Sequence, residues 1–152
     1  MNSIEQANLA DAEAILSLQK KAYVSEAEIY NDFTIQPLHE SLESMKQAFR
    51  EHLVLKYVEE GVIVGSVRAR QEGDTCYVGK LMVHPDKRNS GIGRKLMHAI
   101  EGMFEGVRFE LFTGSESSKN IAFYESLGYQ EYKTEKLERE ETVFVFMEKE
   151  GQ

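Results

Sequence analysis

Residues 53–83, "LVLKYVEEGVIVGSVRARQEGDTCYVGKLMV", read as three β-rich runs broken at Glu60-Gly61 and Gly73-Asp74, both turn signals. Strands joined this tightly pair antiparallel, as a meander. The apolar spacing then becomes helical at Ile92, Leu96, Ile100 and Met103, with Gly106 marking a stop, and "VRFELFT" returns to strand. A crossover helix at that point can bring the new strand in parallel to the third meander strand. Mixed topology follows.

The flanking segments extend this frame. "SIEQA" reads as a short first strand, and Asn8 with Asp11 three residues later resembles an N-cap arrangement before Ile15, Leu18 and Ala22 at helical spacing. "VSEAEIYNDFTIQP" lacks clean periodicity and reads as a loop or irregular helix. After Pro37, residues Leu38, Leu42, Met45 and Phe49 form one stripe of a second amphipathic helix. "SSKNIAFYESLG" is a short helix ended by Gly128, and "QEYKTEK" pairs with "TVFVFME" as a final hairpin whose solvated turn is the charged run Glu135 to Glu141. The order is β-α-α-β-β-β-α-β-α-β-β. With no internal repeat and no interdomain linker, residues 1–152 are expected to form a single domain.

Composition narrows the partners. Apolar residues make up 41% and charged residues 29% of 152, a soluble globular profile. A net charge of −8 and a pI near 5.1 argue against general binding to nucleic acid or to an anionic membrane, both of which need a basic face. No apolar run approaches the roughly 20 residues of a membrane span, and "MNSIEQANLADAEAIL" lacks the basic start and apolar stretch of a signal peptide. The lone Cys76 excludes an internal disulfide framework, fits a reducing, cytoplasmic compartment, and reads as a small buried strand residue. His39, His52 and His98 show no metal spacing and His84, before the proline at a strand end, reads as a surface residue, so no metal is expected. Within this acidic chain Lys80, Lys87, Arg88, Arg94 and Lys95 make a basic island opposed only by Asp86.

That island surrounds "RNSGIGRKLM", residues Arg88 to Met97. A strand, a His84-Pro85-Asp86 turn and glycines at a helix start can cradle a phosphate, because the first N–H groups lack helical acceptors and the helix dipole adds positive charge. The same glycines could equally be a soft entry to a helix. The stretch is not a P-loop, since no G-K-[ST] follows Gly91 at the required distance. Nor is it a dinucleotide fingerprint, since Leu96 stands where the third small residue belongs.

The longer segment "LMVHPDKRNSGIGRKLM" resembles the acyl-CoA-binding signature [QR]-x-x-G-x-[GA] of the GCN5-related N-acetyltransferase (GNAT) family, with Arg88, Gly91 and Gly93 at the defined positions. "NIAFYESLGY" resembles the same family's second signature. The resemblance covers about residues 75 to 130. It implies an α/β (α+β) fold with a mixed, mostly antiparallel sheet flanked by helices and two splayed central parallel strands. It further implies acetyl-CoA as cosubstrate and an acyltransferase that acetylates a primary amine, on a small molecule or a peptide, by direct attack. By the resemblance, the pantetheine arm bonds the backbone of Leu81, Met82 and Val83, whose N–H groups also polarise the thioester carbonyl. The pyrophosphate lies on the N–H groups of Arg88, Asn89, Ser90, Gly91, Ile92, Gly93 and Arg94, and side-chain contacts from Arg88, Arg94 or Lys95 are a further expectation.

Tyr124 matches the tyrosine that protonates the departing CoA thiolate in this family; a core tyrosine packing its helix on the sheet is the other reading. The family's cofactor-binding asparagine stands seven residues earlier, where this chain has Ser117, with Asn120 one turn closer. Many members carry a glutamate base on the third meander strand, four residues before the position of Leu81, but here that residue is Tyr77. Glu26, Glu28, Glu72 and Glu110 are candidates from other segments, as is a water chain. Glu26, Glu28 and Asp32, with Tyr23, Tyr30 and Phe33, suit an amine acceptor. The absent strand carboxylate keeps a non-catalytic acyl-CoA-binding module as the alternative. A homodimer is compatible with either reading.

Overall fold

The computed structural model describes residues 2–136 and 142–151. Seven strands form one sheet: β1 (Asn2–Gln6), β2 (Leu53–Glu59), β3 (Val62–Glu72), β4 (Thr75–Val83), β5 (Arg108–Gly114), β6 (Gln130–Lys136) and β7 (Val143–Glu150). Their spatial order is β1-β2-β3-β4-β5-β7-β6. Every neighbouring pair is antiparallel except β4 and β5. The meander forms as the sequence predicts. Glu60 and Gly61 both take positive φ, 50° and 78°, the geometry a tight hairpin turn requires.

Among the described residues six α-helices flank the sheet: α1 (Ala12–Ala22), α2 (Val24–Tyr30), α3 (Gln36–His39), α4 (Leu42–Glu51), α5 (Ile92–Glu101) and α6 (Ser118–Ser126). Asn8 closes a capping box with Asp11, on a 3-10 turn that runs into α1. Three boundaries differ from expectation. The stretch after Tyr23 is a regular helix, α2, closed by left-handed Asn31; it buries only Ala27, which is why no period shows in its sequence. The Leu38 stripe is broken at extended Glu40, and Ser41 then caps α4 by accepting from the Ser44 N–H. Helix α5 stops at Gly102 rather than Gly106, leaving Met103 half-exposed instead of on the core stripe. Of the expected 135–141 turn, residues 137–141 lie outside those described.

Each face of the sheet has its own core. On one, α5 lays Leu96, Met97 and Ile100 against Val67, Ala69 and Cys76 of the meander and Phe109 and Leu111 of β5. On the other, Ile15, Leu18 and Ala22 of α1 and Met45 of α4 pack on Val54 and Met82. Removing a fully buried aliphatic side chain such as Leu96 from this packing costs about 2–5 kcal/mol. Cys76 is the buried strand residue its sequence suggested, and burial pushes its thiol up to about 11.

Candidate active site

The parallel contact between β4 and β5 is brief. Only Thr75–Tyr77 pair with Arg108–Glu110, although the strands continue to Val83 and Gly114. The strands splay beyond that point. A bulge marks the divergence: Ser66 opposes Met82 while Arg68 opposes Gly79, so β4 carries one extra residue, and Lys80 takes a left-handed φ of 50°. Bulges bend the strand that carries them. The inserted residue is invisible to a strand-propensity reading because lysine gives no turn signal.

The ladder fixes which main-chain groups face the opening. The His84 N–H donates to Val64 O at 2.8 Å, so Met82, two residues earlier in the same register, also turns its main chain toward β3. Leu81 and Val83 therefore present theirs to the splay. Of the three residues expected to offer main-chain groups, Met82 does not face the opening; its side chain is buried on the α1 and α4 side instead.

The loop after β4 forms a nest. Asn89 and Gly91 are left-handed, with φ of 63° and 86°, and Gly91 caps α5. No described residue accepts from the main-chain N–H groups of Asn89, Ser90, Gly91, Ile92, Gly93 or Arg94. Space is clear to 4 Å around the position a Cβ would take on Gly91. Six unpartnered donors at a helix N-terminus are suited to an anion. A Cβ on Gly93 would make only ordinary contacts, 3.5 Å from Phe123 and within 4 Å of Leu81 and Val83, so crowding does not require glycine there.

The basic side chains around the nest are mostly engaged elsewhere. Arg88 donates to Ala22 O at 2.6 Å and to Ser25 Oγ at 3.0 Å, fastening the junction of α1 and α2. Arg94 donates to Ser126 Oγ at 2.9 Å, and Lys87 pairs with Glu59 at 2.6 Å. The Ser90 hydroxyl donates to Lys87 O. The expected side-chain contacts from Arg88 and Arg94 are therefore occupied by protein, because each has a nearer acceptor on a neighbouring helix. The exposed Lys95 has no such partner among the described residues.

Helix α2 bridges the mouth of the splay. Its Glu26 carboxylate accepts from Ser117 Oγ and from Asn120 Nδ2, each at 2.7 Å. The Tyr30 hydroxyl accepts from the Glu116 N–H at 2.9 Å and overlies Gly114, where any Cβ would collide with it. Ser117 and Asn120, expected at the cofactor, are thus bound to a carboxylate from α2. Sequence spacing could not place Glu26 here, since the contact spans more than 90 residues.

Tyr124 lies one turn along α6 from Asn120, the partner of this carboxylate, with its ring against Tyr129 and Phe123 and no described residue bonded to its hydroxyl. Burial, with Tyr23 and Glu26 adding to it, raises its phenol well above the ordinary value. Tyr23 is likewise pushed up to about 12 by burial and Glu26, against the pull of Arg68. The other candidate acids are held apart. Glu110 accepts from Tyr132 at 2.7 Å and pairs with Arg108 at 2.8 Å, Glu72 pairs with Arg70 at 2.6 Å, and Glu28 is exposed. Tyr77, on the strand position of the family's glutamate, lies under the Arg70 guanidinium. Among the described residues no group of three or more His, Cys, Asp or Glu gathers to hold a metal ion, and no helix is long and apolar enough to cross a membrane.

Residues 18–151 match the family model described as the Acetyltransferase (GNAT) domain. The chain belongs to that family. It is 29% identical over 126 residues to the UPF0157 protein YqkA of Bacillus subtilis, covering 82% of this chain and 36% of that protein, so it spans about a third of that relative's length. Its fold is similar to the ribosomal-protein-S18-alanine N-acetyltransferase of Escherichia coli (TM-score 0.81, 18% identity, 99% of this chain and 94% of that one). It is also similar to the PaiA N-acetyltransferase of Thermoplasma acidophilum in complex with coenzyme A (TM-score 0.82, 15% identity, 99% of each chain). The mixed, mostly antiparallel sheet with one splayed parallel pair is the fold the sequence motifs implied.

Proposed function

We propose that the protein transfers the acetyl group of acetyl-CoA to a primary amine by direct attack, without a covalent enzyme intermediate. The observation that carries this reading is the meeting of two unpaired main-chain surfaces: the β4 edge at Leu81 and Val83, and the N–H nest of residues 89–94. The nest would hold the pyrophosphate, and the edge would hold the pantetheine amides. Tyr124 would contribute to the site at the thiol end. The complex of the Thermoplasma structure with coenzyme A supports this use of the fold.

Acetyl-CoA supplies an activated acyl group, and the chain's residues supply position and proton transfer. An ammonium with a pKa near 10.4 costs about 4–5 kcal/mol to deprotonate at pH 7. Glu26 is the base in this reading: its two oxygens are oriented by Ser117 and Asn120, and Asn120 is one helical turn from Tyr124. The Leu81 N–H polarises the carbonyl, which concentrates stabilisation where charge develops. Tyr124 donates from its hydroxyl to the departing sulfur.

Steady thiol release from acetyl-CoA across a panel of amines tests the reading. Turnover on at least one amine, with the free thiol and the acetylated product appearing in equal amounts, is the expected result. Tight binding of CoA with no turnover on any amine would instead favour the non-catalytic acyl-CoA-binding module, for which the missing carboxylate at Tyr77 speaks.

A further inference from the structure

Arg68 differs from the other described arginines. Arg50, Arg70, Arg88, Arg94 and Arg108 each bond a named side chain or carbonyl, but the partly buried Arg68 guanidinium has no hydrogen bond or ion pair with any described residue. Glu40, the carboxylate whose charge acts most strongly on it, has its oxygens bonded to Gln19 Nε2 at 2.8 Å and Ser44 Oγ at 2.7 Å. A partly covered guanidinium that meets an anion makes one of the stronger polar contacts in a protein.

The backbone leaves room for such an anion. Arg68 opposes Gly79 on β4, where nothing lies within 4 Å of the position of a Cβ. By strand alternation Gly79 faces the same side as Tyr77, whose ring lies under Arg70. This notch is two residues beyond the last β4–β5 pair, at the vertex of the splay. A small pocket lined in part by Gln19, Ser66, Arg68, Lys80 and Met82 has a volume of only about 10 Å³. That is room for about one water molecule, so an anionic group would sit over Gly79 rather than within the cavity. Tyr23 joins the two ends of the site: it stands at the N-terminus of α2, the helix that carries Glu26, and its ring lies 5.4 Å from the ammonium of Lys80, the residue after Gly79.

We infer that the acceptor amine carries an anionic group, a carboxylate or a phosphate ester, and that Arg68 receives it over Gly79. The acceptor is then zwitterionic, its amine toward Glu26 and its anion toward Arg68. This rests on the acetyl-transfer reading for the amine end but not for the anion contact itself.

The test uses the full chain saturated with CoA for calorimetry and acetyl-CoA for turnover. The probes are β-alanine against β-alanine amide, and phosphoethanolamine against ethanolamine. In the unsubstituted protein one anionic amine, and by its identity the type of anion, should be preferred over its uncharged-tail analogue by about 10- to 100-fold in kcat/KM and in affinity. Arg68→Gln should reduce that preference to about threefold or less, and Arg68→Lys should restore part of it, with CoA affinity unchanged in both. Binding that ignores the tail, or an Arg68→Gln variant that weakens all four amines equally, overturns the inference. Failure of CoA to bind would instead strike the acetyl-transfer reading and leave the tail-dependence measured by calorimetry on the CoA-free protein to decide this one.

Discussion

Glu26 Oε1 accepts a hydrogen bond from Asn120 Nδ2 at 2.7 Å, tying α2 to α6 across the open side of the β4–β5 splay. The second oxygen, held by Ser117, completes the clamp. Ser117, at the N-terminus of α6, and Asn120 within it orient a carboxylate one helical turn from Tyr124. The chain lacks a carboxylate on β4, yet it has one fixed by two donors at the neighbouring wall.

Replacing that carboxylate tests whether it accepts the acceptor's proton. Glu26→Gln should lower kcat/KM at pH 7 by about 100-fold while leaving CoA affinity nearly unchanged. The deficit should shrink as pH approaches the amine's own pKa, where bulk water supplies the neutral nucleophile. A deficit that stays constant across the pH range would assign Glu26 a purely structural clamp role.

Tyr124→Phe should lower kcat by about 10-fold or more with little change in CoA affinity. Because burial raises the Tyr124 phenol, its proton is retained beyond the usual value near 10. The unsubstituted enzyme should therefore show no loss of rate attributable to this group as pH rises from 8 to 10. A decline centred near pH 10 that disappears in Tyr124→Phe would contradict the buried phenol, and unchanged kcat at saturating substrate would remove its role.

Much of the fold was legible before any coordinates. Turn residues at Glu60-Gly61 and Gly73-Asp74 set the meander, and the change of period at Ile92 marked the crossover that makes β5 parallel to β4. The nest was legible because Gly91 and the helix start are adjacent in sequence. Other features were not, for a common physical reason: they depend on contacts between distant segments. Helix α2 buries one residue and is held by Glu26, Tyr30 and the Arg88 contacts at its start, none of which leaves a local period. The β4 bulge rests on a lysine in a left-handed conformation, a choice the strand's packing imposes against local preference. Side-chain destinations of Arg88, Arg94, Ser117 and Asn120 were likewise set by the helix that happened to lie opposite.

Gly91→Glu should abolish CoA binding while the fold persists. A non-glycine residue at φ of 86° costs about 1–2 kcal/mol in backbone strain, and the new carboxylate would project into the clear space above the nest. Gly91→Ala carries the same strain without the charge, so its smaller loss of affinity separates the two effects. CoA titrations that are unaffected by Gly91→Glu would remove the nest as the phosphate site.

Glu40 gives the acid side of stability a specific origin. Burial alone would raise its carboxyl, but hydrogen bonds from Gln19 and Ser44, with Lys80 and Arg68 nearby, hold it below its ordinary value. A carboxyl depressed on folding contributes stability above the unfolded pKa of about 4.3, and that contribution is lost as pH falls through the lower folded value. Glu40→Gln should therefore lower stability at pH 7 by about 1 kcal/mol, with the gap to the unsubstituted protein closing as pH falls below about 4.3. Urea midpoints measured at pH 7 and pH 3 decide the point. Parallel losses in the two proteins over that interval would mean that Glu40 is not one of the groups whose protonation unfolds the chain.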